Sequence, residues 1–436
     1  MHRRNQLRNA ARRIGARRSL PAIAASAMAV TLLAVTACSS GGGSTVSSAS
    51  AASQVGAKGT PIPIGVVGSY SGVFASIVGA DKLVIQAWAD SVNAAGGIDG
   101  HPVKLYIEDD QANVSLSVSE VKTLVEQDHV VAIVGQATSS GGDQAWAPYV
   151  ERVGIPVIGG TNSDPVYLTN PDFFDPLGNQ VAQFYGIAAQ GHADGQKFAA
   201  VYCAEADSCA QVIPFLATLG KSPGAKVDIA YTAKVSASAP DYTAACQGLK
   251  NSGAQSYTMA LAVPVMERFI AQCGQAGVTA RPINNVVDST FTSIPALNGM
   301  QIVNVGFPFF DQSIPATKAF HQALAKYAPQ VGSASMPLNY TAPYIWTAGA
   351  LFQAAVDAAG TGPITPASIK SGLYSLKNVT LGGLTAPLSF TAGKVTLNNS
   401  YFSYSIKDGA FVETDGMTPV KVPSGPVDAV VATLPK

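Results

Sequence analysis

From Pro61 onward the chain alternates short apolar runs, rich in β-branched residues, with longer stretches whose apolar positions recur every three or four residues. "IPIGVV" (62–67) reads as a strand, and Leu83, Val84, Ala87, Trp88 and Val92 then fall on one face of a helix. "VKLYIEDD" (103–110) alternates Val103, Leu105 and Ile107 as a strand, and Val118, Val121, Leu124 and Val125 form the next helical stripe. "VVAIVG" (130–135), "DQAWAPYVERV" (143–153) and "IPVIGG" (155–160) continue as strand, helix and strand. This β-α-β-α-β-α-β order requires a parallel sheet covered on both faces. The pattern restarts with the strand-like runs "KFAAVYC" (197–203), "AKVDIAY" (225–231), "AQSYTMALA" (254–262), "ARPINNVV" (280–287) and "MQIVNVGF" (300–307). A second parallel sheet, and so a second lobe, follows. In the tail, "NYTAPYIWTAGALFQAAVDAAG" (339–360) is helical, starting near Asn339 or Thr341, and "SFTAGKVTLNNSYFSYSIKDGAFVE" (389–413) alternates and turns like a β-hairpin. Too short in strands for a third domain, this tail divides between the two lobes.

The segment before Pro61 has a different character. Residues 1–20 carry seven arginines and no acid, and the apolar stretch "PAIAASAMAVTLLAVTA" (21–37) follows, the arrangement of a secretory signal. It ends at Val35-Thr36-Ala37-Cys38, which resembles the lipobox of bacterial lipoproteins and implies cleavage before Cys38 with lipid on its sulfur. The arginine pairs lack the fuller twin-arginine motif, so the export route stays open. Residues 38–60, dominated by Ser, Gly and Ala, cannot bury a core and read as a flexible tether.

The whole sequence balances 27 basic against 27 acidic residues. Removing residues 1–37 takes away seven arginines and no acid, leaving 20 against 27, net −7. That balance argues against nucleic acid as a partner. Beyond Cys38 the cysteines are Cys203, Cys209, Cys246 and Cys273, an even number at spacings unlike metal pairs, and the histidines are scattered. Disulfides are expected, with no metal and no cofactor. Right-handed crossovers place the helices carrying Cys246 and Cys273 side by side, which makes that pair reachable and leaves Cys203 with Cys209.

Parallel sheets bind ligands outside the carboxyl ends of their strands. The loops there are "GSYSG" (68–72), "EDDQANVS" (108–115), "GQATSSGG" (135–142) and "GGTNSDP" (159–165). Three of them concentrate Ser, Thr, Asn and Gly before a helix, where N–H groups and the helix dipole favour an anion. Any one such loop is explained by helix capping; three at one sheet edge indicate a ligand site. Neither Ser139 nor Ser140 has the spacing of a nucleophile elbow, and no phosphate-loop or dinucleotide glycine pattern is present. An enzyme is therefore not expected; the chemistry left is non-covalent binding of a small polar molecule. Tyr70 and Ser71 join the candidate lining, while Trp88 and Trp346 fall in core stripes.

"IPIGVVGSYSG", "VNAAGGIDGHPVKLYIEDDQ", "VVAIVGQATSSG" and "GIPVIGGTNSDP" resemble the branched-chain amino-acid and amide receptor family of ABC importers, the type I periplasmic binding proteins. The resemblance implies two Rossmann-like α/β lobes with parallel sheets, joined by a three-crossover hinge. It places lobe 1 at residues 61–178 and 309–396 and lobe 2 at 179–308 and 397–436. It also implies a monomeric lipid-anchored receptor on the outer face of the cell membrane, delivering a small amino acid, amide or organic acid to ABC permease subunits. A sensor using the same cleft without transport is the alternative. Carried over by position, Ser139 holds the ligand carboxylate, with Ser140 beside it, Ser163 as its hydroxyl partner and Thr161 as a backbone contributor. In lobe 2 the family's aromatic falls near Glu205 or Asp207, Ala262 replaces a tyrosine, and the ammonium-binding acid falls at Val286, with Asp288 the nearest substitute.

Overall fold

The computed structural model describes residues 57–138, 141–205 and 207–434. The leader, Cys38 and the tether up to residue 56 lie outside the described residues, as do Ser139 and Ser140. In chain order the first part comprises β1 (Ile62–Gly68), α1 (Ala75–Val78), α2 (Asp81–Ala94), β2 (Val103–Asp109), α3 (Val114–Glu126), β3 (Ala132–Gln136), α4 (Gly142–Val153), β4 (Val157–Gly160) and β5 (Phe173–Phe174). The second comprises α5 (Gln180–Ala193), β6 (Lys197–Cys203), α6 (Val212–Leu219), β7 (Asp228–Val235), α7 (Thr243–Ser252), β8 (Ser256–Ala260), α8 (Val263–Gln275), β9 (Arg281–Asn284) and β10 (Gln301–Asn304). Then come α9 (Pro315–Tyr327), α10 (Ala342–Ala359), α11 (Pro366–Ser375), β11 (Ser400–Lys407), β12 (Ala410–Glu413), β13 (Val420–Lys421) and α12 (Ser424–Val431).

The strands form two sheets, one per lobe. The first is parallel, in order β2-β1-β3-β4-β5. Val84, Ala87, Trp88 and Val92 of the α2 stripe are buried on one face of it, and Val121 and Leu124 of α3 on the other. The core that holds α2 also takes in Phe320 of α9, Ile345, Trp346 and Phe352 of α10 and Leu373 of α11, so chain from beyond residue 304 returns to cover the first sheet. In the second sheet, in order β12-β11-β10-β9-β8-β6-β7, the strands β6 to β10 are parallel, whereas β11 runs antiparallel to β10 and to β12. The chain thus passes between the sheets three times, within residues 174–180, 304–315 and 390–400.

Two of the sequence expectations are corrected. The hairpin is confined to β11 and β12, turning at Asp408 (φ 52°) and Gly409 (φ 76°), the Asp-Gly pair that suits a two-residue loop with positive φ at both positions. Residues 389–399 form no strand because their polar groups join a crossing segment: Asn179 N–H donates to the Asn398 carbonyl at 2.8 Å, and Asn398 Nδ2 donates to Pro176 O at 3.3 Å. The run 280–287 stops pairing at Asn284, whose Nδ2 donates to Val286 O and turns the chain out of the sheet. Both expected disulfides, Cys203–Cys209 and Cys246–Cys273, are formed. Among the described residues no single helix is long and apolar enough to cross a membrane.

Candidate functional site

In the first sheet the chain steps from β1 to β2 on one side and to β3, β4 and β5 on the other. The carboxyl ends of β1 and β3 therefore flank the point where the winding reverses, the position at which open α/β sheets leave a crevice for ligand. The second sheet repeats this: β7 lies on one side of β6 and β8 on the other, so the ends of β6 and β8 flank its reversal point.

The loops at the first reversal point are built from residues that hold backbone in place. Ser69 N–H donates to Ala137 O and Ala137 N–H to Val67 O, each at 2.9 Å, tying the two flanking loops together. Ser69 Oγ donates to Asp110 Oδ1 at 2.6 Å, and Ser71 N–H to Asp109 Oδ1 at 3.2 Å. Gly160, at φ 119°, brings the end of β4 so close to β3 that a Cβ there would stand 2.1 Å from Gln136 O. At that contact Gln136 Nε2 lies within 2.7–2.9 Å of Tyr167 Oη, Asp143 Oδ2 and Thr161 O, while its Oε1 accepts from Thr138 N–H. Thr138 Oγ1 donates to Asp143 Oδ1 at 2.6 Å, and Gly141 N–H donates to both oxygens of Asp164. The segment on either side of Ser139 and Ser140 is therefore anchored to the start of α4 and to the loop after β4. Burial, then the neighbouring Asp164, pushes the Asp143 carboxyl well above the usual range, against the Thr138 bond. A carboxyl that keeps its proton removes negative charge from beside a loop expected to face an anion.

The expected site residues are distributed over this edge as follows. Tyr70 is 4% exposed, packed over Gly68, with Lys82 Nζ 5.7 Å from its ring centre and its hydroxyl without a hydrogen-bond partner among the described residues. Burial, then Asp81, pushes its phenol well above the usual range. Thr161 Oγ1 is also buried without a partner among the described residues, whereas Ser163 is exposed and Ser71 half-buried. On the second lobe, Asp207 opens the turn Asp207–Gln211 after β6. Asp288 is buried, and its Oδ1 accepts from the backbone N–H and the hydroxyl of Thr290, so it caps the turn Ser289–Ser293. Glu205 accepts from Ser236 Oγ, Ala237 N–H and Ala204 N–H; the Ala237 bond leads in lowering its pKa.

Sequence reasoning missed the supports, Gln136, Asp143 and Tyr167, although Gln136 and Asp143 bracket the loop that holds Ser139. A polar residue closing an apolar strand, and an acid at the start of the following helix, were the available signals. It also missed Gln183, Asn285, Asn304 and Tyr344, a neutral cluster beside the carboxyl ends of β9 and β10. A surface groove of about 420 Å³, lined by Gln353, Asp357 and Leu381, is lined by none of these loops. No cluster of metal-ligating side chains is present among the described residues.

A sequence profile described as periplasmic binding protein matches residues 61–410. An amino acid binding protein of Pseudomonas aeruginosa is 33% identical over 105 residues, which span 24% of this chain and 28% of that protein's length. Among solved structures, a branched-chain amino acid transporter protein from Thermus thermophilus with bound valine superposes with a TM-score of 0.71 at 14% identity, over 85% of this chain and 98% of that one. A branched-chain amino acid substrate-binding protein of Streptococcus pneumoniae, in complex with isoleucine, gives 0.64 at 20% identity, over 83% and 100%. A solute-binding protein of R. palustris in complex with benzoate gives 0.65 at 17% identity, over 84% and 98%. At these identities the likeness to the solved structures is one of fold.

Proposed function

The chain belongs to the periplasmic binding protein family, and from that premise we propose that it is a lipid-anchored solute receptor of an ABC importer, binding a small amino acid, amide or organic acid between its lobes. Members of the family bind small molecules, work with ABC permease components and are not enzymes, and this chain is likewise not an enzyme. The observation that carries the proposal is the first-lobe edge. Three polar loops meet at this sheet edge, held by buried side-chain bonds, and two hydroxyls there, of Tyr70 and Thr161, have no partner among the described residues. Buried polar groups are normally paired, so two orphans on one ligand-facing edge mark a place for a ligand or for water.

In this proposal lobe 1 comprises residues 61–178 and 309–396, and lobe 2 residues 179–308 and 397–436. Ser139 and Ser140 donate to the ligand's carboxylate or amide oxygen, with Tyr70, Ser71, Thr161 and Ser163 around it. Asp207 and Asp288 line the opposing wall, where Asp288 also keeps its turn in shape. Lipid on Cys38 holds the monomer to the outer face of the membrane, and the permease meets the closed form. Calorimetric screening of amino acids, amides and short organic acids supplies the best ligand. Ser139→Ala should then weaken its binding by about 1.5–3 kcal/mol, the worth of a charge-assisted hydrogen bond; an unchanged affinity would remove Ser139 from the site. For the anchor, detergent-phase partitioning of the exported protein should be abolished in Cys38→Ser.

A further inference from the structure

The second lobe narrows the class of ligand, provided the inter-lobe cleft is the binding site. A ligand ammonium requires a strong acceptor, ordinarily a carboxylate free to receive it. At the carboxyl edge of the second sheet, Glu205 and one oxygen of Asp288 are already engaged by protein donors. Glu205 receives three protein donors. Asp288 directs Oδ1 to Thr290, and its backbone pairs with Asn339. Between them Ala262 and Val286 present no charge.

On the α5 side of this edge, one free polar atom among the described residues has the opposite character. Gln183, 4% exposed, lies in the first turn of α5, and its Oε1 accepts from Asn285 Nδ2 at 3.1 Å. Its Nε2 meets the Tyr344 hydroxyl only outside full hydrogen-bond geometry and has no other acceptor among the described residues. The neighbours are satisfied: Tyr344 Oη donates to Asn304 Oδ1 at 2.9 Å, which also receives Gly306 N–H, and Asn304 Nδ2 donates to Asn285 O at 2.8 Å. The result is a neutral amide and phenol cage with one buried donor left over. A buried donor without an acceptor is unfavourable, and a ligand oxygen placed there relieves it.

We infer that the cleft selects carboxylates whose second polar group is a hydrogen-bond acceptor, such as 2-oxo acids, over the corresponding amino acids, with Gln183 Nε2 donating to that oxygen. Discrimination of this kind is strong because an ammonium facing Gln183 Nε2 leaves two donors unpaired where an oxygen leaves none.

The test uses the mature protein and two matched sets titrated by calorimetry near neutral pH: leucine, 4-methyl-2-oxopentanoate and 4-methylpentanoate; phenylalanine, phenylpyruvate and 3-phenylpropanoate. In the set that fits the cleft, the oxo acid should bind about tenfold or more tighter than the amino acid and several-fold tighter than the plain acid. Gln183→Leu should erase the advantage of the oxo acid over the plain acid while leaving the plain acid within about twofold; a merely structural role would weaken all three alike. Should that variant fold poorly, Gln183→Met serves the same comparison, and the wild-type ranking stands independently of both. Tighter binding of the amino acid, or equal binding of oxo and plain acids, overturns the inference and leaves the cleft reading intact. Loss of amino-acid binding in Asp207→Asn or Asp288→Asn would identify the acid that holds an ammonium and overturn it as well. Silence from all six compounds overturns the carboxylate cleft itself and this inference with it.

Discussion

Asp81, the first residue of α2, is fully buried; Oδ1 accepts from Thr341 Oγ1 at 2.7 Å and Oδ2 faces no donor among the described residues. Burial pushes its pKa well above the usual range, and Asp143 shares that direction, while burial raises Asp175 to about 7 against its bonds from Asn162 and Leu177. These acids bind their protons more tightly folded than unfolded. Their contribution to stability is therefore complete at pH below 3.8 and is lost as pH rises through the folded value, for Asp175 between 3.8 and about 7. Glu205, whose pKa is lowered, acts oppositely, losing its contribution as pH falls through its folded value. Stability should peak in mildly acidic solution, with a higher melting midpoint at about pH 5 than at about pH 8. Asp81→Asn keeps an acceptor for Thr341 and removes the buried charge, so it should raise the midpoint at the higher pH and flatten the profile. A variant less stable than wild type at the higher pH would show that Asp81 is held ionised. None of this was legible in the sequence, where Asp81 is one acid among 27 acidic residues; its isolation is created by Thr341, 260 positions away.

The elements were more legible than the residues. Strand and helix periodicity in the first lobe reports directly on which side chains are buried, as Val84, Ala87, Trp88 and Val92 show. Reading failed where polar side chains, not periodicity, decide the backbone: the two-residue strand β5 was too short to register, and residues 389–399 alternate yet are taken by the crossing segment. The candidate site divides the same way. The place of the loop after β3 at the sheet's reversal point was legible because composition and strand order both point to it. Gln183 was not, since its isolation depends on Asn285, Asn304 and Tyr344, which come from three different elements or loops. Crossover geometry did make the disulfides legible, and they differ in reach, closing separations of 27 residues for Cys246–Cys273 and 6 for Cys203–Cys209. By loop entropy, the longer contributes about 3.5 kcal/mol and the shorter about 2 kcal/mol. Urea unfolding of Cys246→Ser/Cys273→Ser should show the larger loss; equal losses from the two pairs would mean that native contacts, not loop length, set their worth.

At the scale of the whole molecule, residues 338–341 join the halves that the three crossings connect. Their backbone pairs with the second lobe, Ser289 N–H donating to Leu338 O at 2.8 Å and Tyr340 N–H to Val287 O at 3.1 Å. Their side chains reach the first, Asn339 Nδ2 donating to Ile77 O at 2.6 Å and Thr341 Oγ1 to Asp81 Oδ1. Asn339 Oδ1 also accepts Thr341 N–H, which positions both side chains from one residue. A contact present when the lobes are together and lost when they part biases their equilibrium by its own free energy, and ligand affinity falls with the share of closed molecules. Asn339→Ala loosens the segment whose backbone carries these inter-lobe bonds and should remove up to about 1 kcal/mol from that bias, weakening ligand binding up to about fivefold without touching a carboxylate anchor. Small-angle scattering of the ligand-free variant should show a larger radius of gyration, and saturating ligand should restore the wild-type value, because ligand contacts can supply the closure that the join no longer does. An unchanged radius together with unchanged affinity would mean that residues 338–341 move with both lobes in the open state and take no part in setting how often they meet.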